Sequence, residues 1–204
     1  MTTTSSSKPV LVIVAALLPT FGIGLKGTLP WKLSKEMKYF RSVTSITTDP
    51  SKQNAVIMGR RTWDSIPVKF RPLPKRMNVI ITRQDLSTVK PIEGVKFENS
   101  IEGAVKMLAG LPEIEKIFII GGGEVYNLSV SSGLVDNLLI TEIKHSKGED
   151  VEMDTFLDKD YILGNFDKVG RDGLLDFIGE VDAGEEVTVK EGDFEYEFAL
   201  YKRK

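Results

Sequence analysis

Residues Val10 to Leu17, Val-Leu-Val-Ile-Val-Ala-Ala-Leu, carry no polar side chain, and no other stretch limits the fold so tightly. A strand with one wet face alternates apolar and polar residues. A run without alternation is buried on both faces, as inside a parallel sheet covered by helices. The preceding Lys8 gives the run a likeness to an export-signal core. It is too short to cross a bilayer, ends at Pro19 and is followed by no small-residue cleavage site, so it reads as a first strand. Residues 55–58, 77–81 and 116–120 are further Val/Ile-rich runs, separated by helical patterns and Gly-containing turns. Strands alternating with helices give the α/β class. With 204 residues, one core suffices. We expect a flexible tail over residues 1–8 and a single domain over 9–204.

Between the first two runs lies residues 29–40, Leu-Pro-Trp-Lys-Leu-Ser-Lys-Glu-Met-Lys-Tyr-Phe. The spacing predicts a helix capped by Ser34, with Leu33, Met37, Phe40 and Val43 on its inner face. Glu36 falls on that face, while Lys32, Lys35, Lys38 and Arg41 point elsewhere. A carboxyl in an apolar stripe is costly to bury charged, so its pKa should rise, and it becomes a candidate proton donor or an anchor for a cationic ligand. The plainer reading is a Glu whose head reaches solvent or caps a loop.

The chain has no Cys, and His145 is its single His, which excludes thiol nucleophiles, disulfides, triads and His/Cys metal sites. Acid–base chemistry falls to carboxylates, Tyr, Lys or water. Lys+Arg of 27 against Asp+Glu of 29 argues against general nucleic-acid binding.

Gly22, Gly24 and Gly27 match the G-x-G-x-x-G spacing, but Pro30 follows and no helix opens within the glycines, so the dinucleotide fingerprint is rejected in favour of a mobile loop over a site. Gly59-Arg60-Arg61-Thr62-Trp63 joins a strand end to a helix start with two cations and a hydroxyl. It reads as an anion site, or as a basic surface turn. Gly121-Gly122-Gly123-Glu124-Val125-Tyr126 runs from a strand into a helix with more glycines than a turn requires, which favours phosphate binding. Residues 71–76 are stiffened by Pro72 and Pro74, so an Arg there can hold a carboxylate bidentately. Further along we expect a strand at residues 95–98, a helix at 100–108, a strand at 135–143, a hydrophobic anchor at 154–156 and strands at 174–181 and 194–201. In the last of these, Phe194, Tyr196, Phe198 and Leu200 share one face, in an antiparallel hairpin. Asn127-Leu128-Ser129 is a glycosylation sequon by chance.

These motifs stand in one order: Val14-Ala15-Ala16, the Gly22–Gly24–Gly27 loop, Leu29-Pro30-Trp31, Glu36 with Phe40, and Gly59 to Trp63. Residues 71–76, Thr82-Arg83, Gly121 to Tyr126 and Thr141-Glu142 complete the set. The set resembles dihydrofolate reductase, most like the fungal form, from residue 10 to the C-terminus. The resemblance implies an eight-stranded mixed sheet, mostly parallel with an antiparallel C-terminal strand, flanked by helices. It implies a cytoplasmic, monomeric oxidoreductase of one-carbon metabolism that reduces 7,8-dihydrofolate with NADPH and is open to antifolate inhibitors. No membrane, metal or nucleic-acid partner is expected.

By that resemblance Glu36 is the catalytic acid, Thr141 its hydrogen-bond partner and Trp31 the holder of a water beside it. Val14, Ala15, Met37, Phe40, Ile66, Phe70, Leu73, Ile120 and Tyr126 should line the folate pocket, with Arg76 on the glutamate α-carboxylate. Ala15, Ala16, Gly22, Ile23, Gly24, Gly27 and Thr28 should border the nicotinamide. Gly59, Arg61, Thr62, Gly121, Gly122, Gly123, Glu124 and Val125 should meet the pyrophosphate, and Arg60 and Arg83 the adenosine 2′-phosphate. Ile81, Thr82, Ile120 and Tyr126 should complete the cofactor contacts. Two departures from the family pattern stand out: Arg61 where Lys is common, and Gly123 where a small residue with a Cβ is usual. The alternatives are a same-fold reductase of another pterin or a pyrimidine intermediate, and a non-catalytic nucleotide-binding protein.

Overall fold

The computed structural model describes residues 8–204; of the tail expected over residues 1–8, residues 1–7 lie outside them. In chain order the elements are β1 (Val10–Leu17), β2 (Gly22–Gly24), α1 (Ser34–Ser45), β3 (Gln53–Gly59), α2 (Arg60–Ser65), β4 (Arg76–Ile81) and β5 (Val95–Glu98). Then follow α3 (Ile101–Ala109), β6 (Ile114–Ile119), α4 (Gly123–Ser131), β7 (Asn137–His145), β8 (Thr155–Phe156), α5 (Lys159–Asn165) and β9 (Phe166–Lys168). The chain ends with α6 (Arg171–Ile178), β10 (Val189–Glu191) and β11 (Phe194–Arg203).

The sheet runs β10-β11-β7-β1-β6-β3-β4-β5, with β2, β8 and β9 attached at its sides. The pairs from β7 through β1, β6, β3 and β4 to β5 are all parallel, and β11 is antiparallel to both β7 and β10. This is the mixed sheet expected. β1 sits in its middle, and its residues divide by parity as a pleat requires. Val10, Val12, Val14 and Ala16 pack under α3 and α4, while Leu11, Ile13 and Leu17 pack under α1, α2 and α6. The lack of alternation in residues 10–17 is therefore explained by cover on both sides.

Several expectations are corrected. Residues 174–181 form no strand. Leu174 and Ile178 are the buried pair of α6, one helical turn apart, between Gly170 at the N-cap and Gly179 with φ 62° at the C-cap. An apolar run this short has no period clear enough to separate strand from helix. The Gly22–Gly27 segment is not wholly a loop, since β2 pairs with Leu17 of β1 and with β8. Phe156 is exposed and does not anchor; the neighbouring Leu157 is buried in the core instead.

Ser34 does not cap α1 with its own side chain, for Leu33 occupies the N-cap. The Glu191 carboxylate, from the far end of the chain, accepts from the Ser34 N–H, and from the Lys35 N–H at 3.2 Å. The buried face of α1 is Glu36, Tyr39, Val43 and Thr44, with Met37 half in the open at 52% exposure. Of the inner face expected, Leu33, Glu36 and Val43 are buried and Phe40 packs half-buried against the core, while Met37 alone departs, lining the cleft. Tyr39 is buried as well and stacks on Phe198 of β11 at 3.7 Å between ring centroids, a contact of about 1 kcal/mol beyond burial.

Candidate active site

The parallel strands β1, β3, β4 and β6 end on one rim of the sheet, where open α/β sheets carry their sites. A cleft of about 2520 Å³ opens there, between the ends of these strands, α1, and the first turns of α2 and α4.

Glu36 stands on one wall. It is 7% exposed, and Thr141 Oγ1 of β7 donates to its Oε1 at 3.2 Å. Thr141 faces α1 because β7 pairs Thr141 with Ala15 of β1, on the sheet side that α1 covers. Burial is the largest influence on the carboxyl and pushes it up to about 7. The Thr141 hydroxyl pulls the other way, and the Glu191 charge adds to the rise. Among the described residues no cation pairs with Glu36. Near neutral pH the group is thus divided between acid and base, as a proton donor needs. Two buried polar atoms of the same layer, Trp31 Nε1 and the Tyr39 hydroxyl, have no protein partner. Buried donors without protein partners mark places for ordered water.

Arg76, 7% exposed at the start of β4, lines the same cleft. Its Nη1 donates to Thr44 Oγ1 at 2.8 Å and its Nε to the Pro74 carbonyl at 3.0 Å. Burial, then the neighbouring Arg41, lowers its pKa to about 10. The proline segment is pinned by Asn78, which accepts from the Leu73 N–H and donates to the Leu73 carbonyl, both at 2.9 Å. A buried guanidinium without a carboxylate partner in the described residues is a carboxylate or phosphate receptor in waiting. Met37, Phe40, Ile66, Phe70 and Leu73 supply an apolar wall between Glu36 and Arg76.

At the other end, two glycine turns face each other. Gly59 N–H donates to the Gly121 carbonyl at 2.7 Å. A Cβ on Gly59 would come 3.2 Å from Val125, one on Gly121 3.1 Å from Tyr126, and one on Gly122 3.2 Å from Thr62. Gly121 has φ 119°, a region open to glycine and costly for other residues. The two turns can approach only because these side chains are missing. Neither α2 nor α4 has a side-chain cap, so their first N–H groups are free for an anion. Arg60, Arg61 and Arg83 line the approach. Arg60 Nε is held by Asp64 at 3.1 Å and Arg83 by Glu124, both in the open. The donors, the glycine cradle and the cations fit a dinucleotide phosphate.

Val14, Ala15, Ile23, Gly24, Gly27 and Thr28 border the middle of the cleft, and Gly123, Glu124, Ile81, Thr82, Ile120, Val125 and Tyr126 the end at the glycine turns. Four expected site residues do not line it. Ala16 is fully buried under α4, Gly22 is covered by Met153, Trp31 is buried against Phe194, and Thr141 lies behind Glu36. The sequence reading missed Thr44, Asn78 and Glu191. A buried Asn inside the apolar run of β4 was a legible signal; Thr44 and Glu191 left none. A Cβ at Gly123 would approach Thr155 to 2.5 Å, so the unusual glycine there is matched by a threonine from β8.

Residues 10–172 match the family model described as dihydrofolate reductase. The chain is 47% identical over 199 residues to a dihydrofolate reductase of Candida albicans, covering 97% of this chain and 100% of that one. It is 44% identical over 207 residues to one of Saccharomyces cerevisiae, covering 96% and 97%. Its fold is similar to that of Schistosoma mansoni dihydrofolate reductase, with a TM-score of 0.73, 29% identity, and coverage of 97% and 99%.

Proposed function

The chain belongs to the dihydrofolate reductase family, and from that premise we propose that it reduces 7,8-dihydrofolate to 5,6,7,8-tetrahydrofolate with NADPH as the donor. When bound, NADPH supplies the hydride, from nicotinamide C4 to pterin C6. The protein's work is to orient the two molecules, exclude water and deliver a proton to pterin N5.

Glu36 carries this reading. Its carboxyl is held near neutral titration by burial and oriented by Thr141. Protonated, it binds the amino-pyrimidine edge of the pterin and passes a proton to N5 through a water held by the unpartnered Trp31 Nε1. Such general-acid help is worth about 10²–10⁴ in rate. Arg76, preset by Thr44 and Pro74, takes the glutamate α-carboxylate, which favours a folate over a pterin lacking that group. Positioning of both ligands supplies the larger share of the rate.

The facing glycine turns support the pyrophosphate, and Arg60 and Arg83 the 2′-phosphate, whose dianion wants cations where a bare ribose wants an acidic acceptor. A cytoplasmic location and a monomeric state are part of the same proposal. Among the described residues no helix is long and apolar enough to cross a membrane. The test is to follow NADPH absorbance with and without dihydrofolate. Loss only when both are present is expected; tight NADPH binding without turnover would replace the enzyme by a nucleotide-binding scaffold.

A further inference from the structure

Glu191 belongs to none of the functions above, yet it makes more contacts to the Glu36 helix than a surface residue of an edge strand needs. Its Oε1 accepts from the Ser34 N–H, and its Oε2 from the Lys35 N–H at 3.2 Å and from the Tyr196 hydroxyl at 3.0 Å. The Ser34 and Lys35 N–H groups are the first free donors of α1, and the N-cap residue Leu33 has no side chain able to satisfy them. A negative charge at this end also suits the helix dipole. Glu36 is the next residue. The same hairpin places Phe194 edge-on to Trp31, with centroids 6.2 Å apart. The hairpin of β10 and β11 therefore holds both Trp31 and the first turn of α1.

We propose that Glu191 is a positioning residue for the proton donor: it fixes the first turn of α1 against the C-terminal hairpin, with its own charge facing Glu36. The inference rests on the reading of Glu36 as the acid. The groups that face Glu36 are Tyr39 on its own helix, Tyr126 on α4, Tyr196 on β11 and Glu191 on β10, with Thr141 on β7 as the uncharged donor. Burial first, then the Glu36 charge, raises Tyr39 and Tyr126, and burial first, then Glu191, raises Tyr196, so all three stay neutral. Lys32, Lys35, Lys38 and Arg41 are exposed and make no ion pair with Glu36. Glu191 is then the one charged member of the set. Two carboxylates facing each other oppose double ionisation. A residue 155 positions away in the chain thus tunes when the acid releases its proton.

The experiment compares wild type with Glu191→Gln and Glu191→Ala. Glu191→Gln keeps an oxygen for the Ser34 N–H and loses the charge; Glu191→Ala loses both. The Glu36 carboxyl is titrated in the ligand-free protein by infrared difference spectroscopy, with Glu36→Gln identifying its band. The pH profile of hydride transfer is measured alongside. The expected result is a Glu36 midpoint displaced downward in Glu191→Gln, with the rate profile displaced by the same amount, and in Glu191→Ala an added rise in KM for dihydrofolate. A cap that served only to stabilise the fold would lower the melting temperature and leave the Glu36 midpoint where it is in wild type; that outcome overturns the proposal. A displaced midpoint with an unmoved rate profile sustains the Glu191 coupling and instead removes Glu36 as the proton source.

Discussion

Thr141 Oγ1 donates to Glu36 Oε1 at 3.2 Å, joining residues 105 positions apart. The hydroxyl lowers the carboxyl pKa, against the burial that raises it to about 7. Thr141→Val keeps the shape and removes the donor. The Glu36 midpoint, and with it the falling limb of the rate–pH profile, should move to higher pH. A profile that stays in place would show that the hydroxyl does not reach the acid in solution.

Glu36→Gln keeps the volume and loses the proton. Hydride transfer at neutral pH should fall by about 10²–10⁴ while NADPH still binds, as stopped-flow and fluorescence titration would report.

The same substitution should alter stability with a definite sign. Folded Glu36 holds its proton up to about pH 7, against an ordinary value of 4.5. The native state thus binds more protons than the unfolded chain between those pH values. Stability from this group is fully present below the lower value and is lost as pH rises through the higher one. The gap corresponds to at most about 3 kcal/mol. Denaturant melts should show wild type losing ground to Glu36→Gln as pH rises, and equal slopes would deny the elevated carboxyl.

Arg76→Leu should raise KM for dihydrofolate by about 10–100-fold, the worth of a charge-assisted pair, and leave NADPH affinity near wild type. Thr44→Val, which removes only the 2.8 Å partner of Nη1, should show the same change at smaller size. An unchanged KM in Arg76→Leu would move the carboxylate site elsewhere.

Arg60→Ala and Arg83→Ala should each narrow the preference for NADPH over NADH by up to about tenfold. Each cation must leave Asp64 or Glu124 to meet a phosphate, which trims the gain. The ratio of kcat/KM for the two cofactors decides it.

Gly121→Ala sets a Cβ 3.1 Å from Tyr126 on a backbone at φ 119°. It should cost roughly 1–3 kcal/mol of stability and weaken NADPH binding. Thermal melts and cofactor titration check both parts.

Much of this molecule is legible one segment at a time. The unbroken apolar residues of β1, the runs that became β3, β4 and β6, and the glycine turns at Gly59 and Gly121 are local patterns, and each announces a two-faced strand or a close backbone approach. Glu36 in an apolar stripe is local as well. The short run at residues 174–181 and the burial of Met37 on α1 were misread because a few apolar residues fit two periods, and the packing partner chooses between them.

What the amino-acid order determines alone is the central strands, the candidate acid and the places where backbone must come close. What the tertiary structure decides is the state of those groups. Glu36 titrates near neutrality because it is buried where β7 brings Thr141 and β10 brings Glu191, and Arg76 is oriented because α1 brings Thr44. Those partners meet through the order of strands in the sheet and the closure of long loops. Neither is written in the spacing of neighbouring side chains, and both fix the low-polarity surroundings that set a carboxyl's charge.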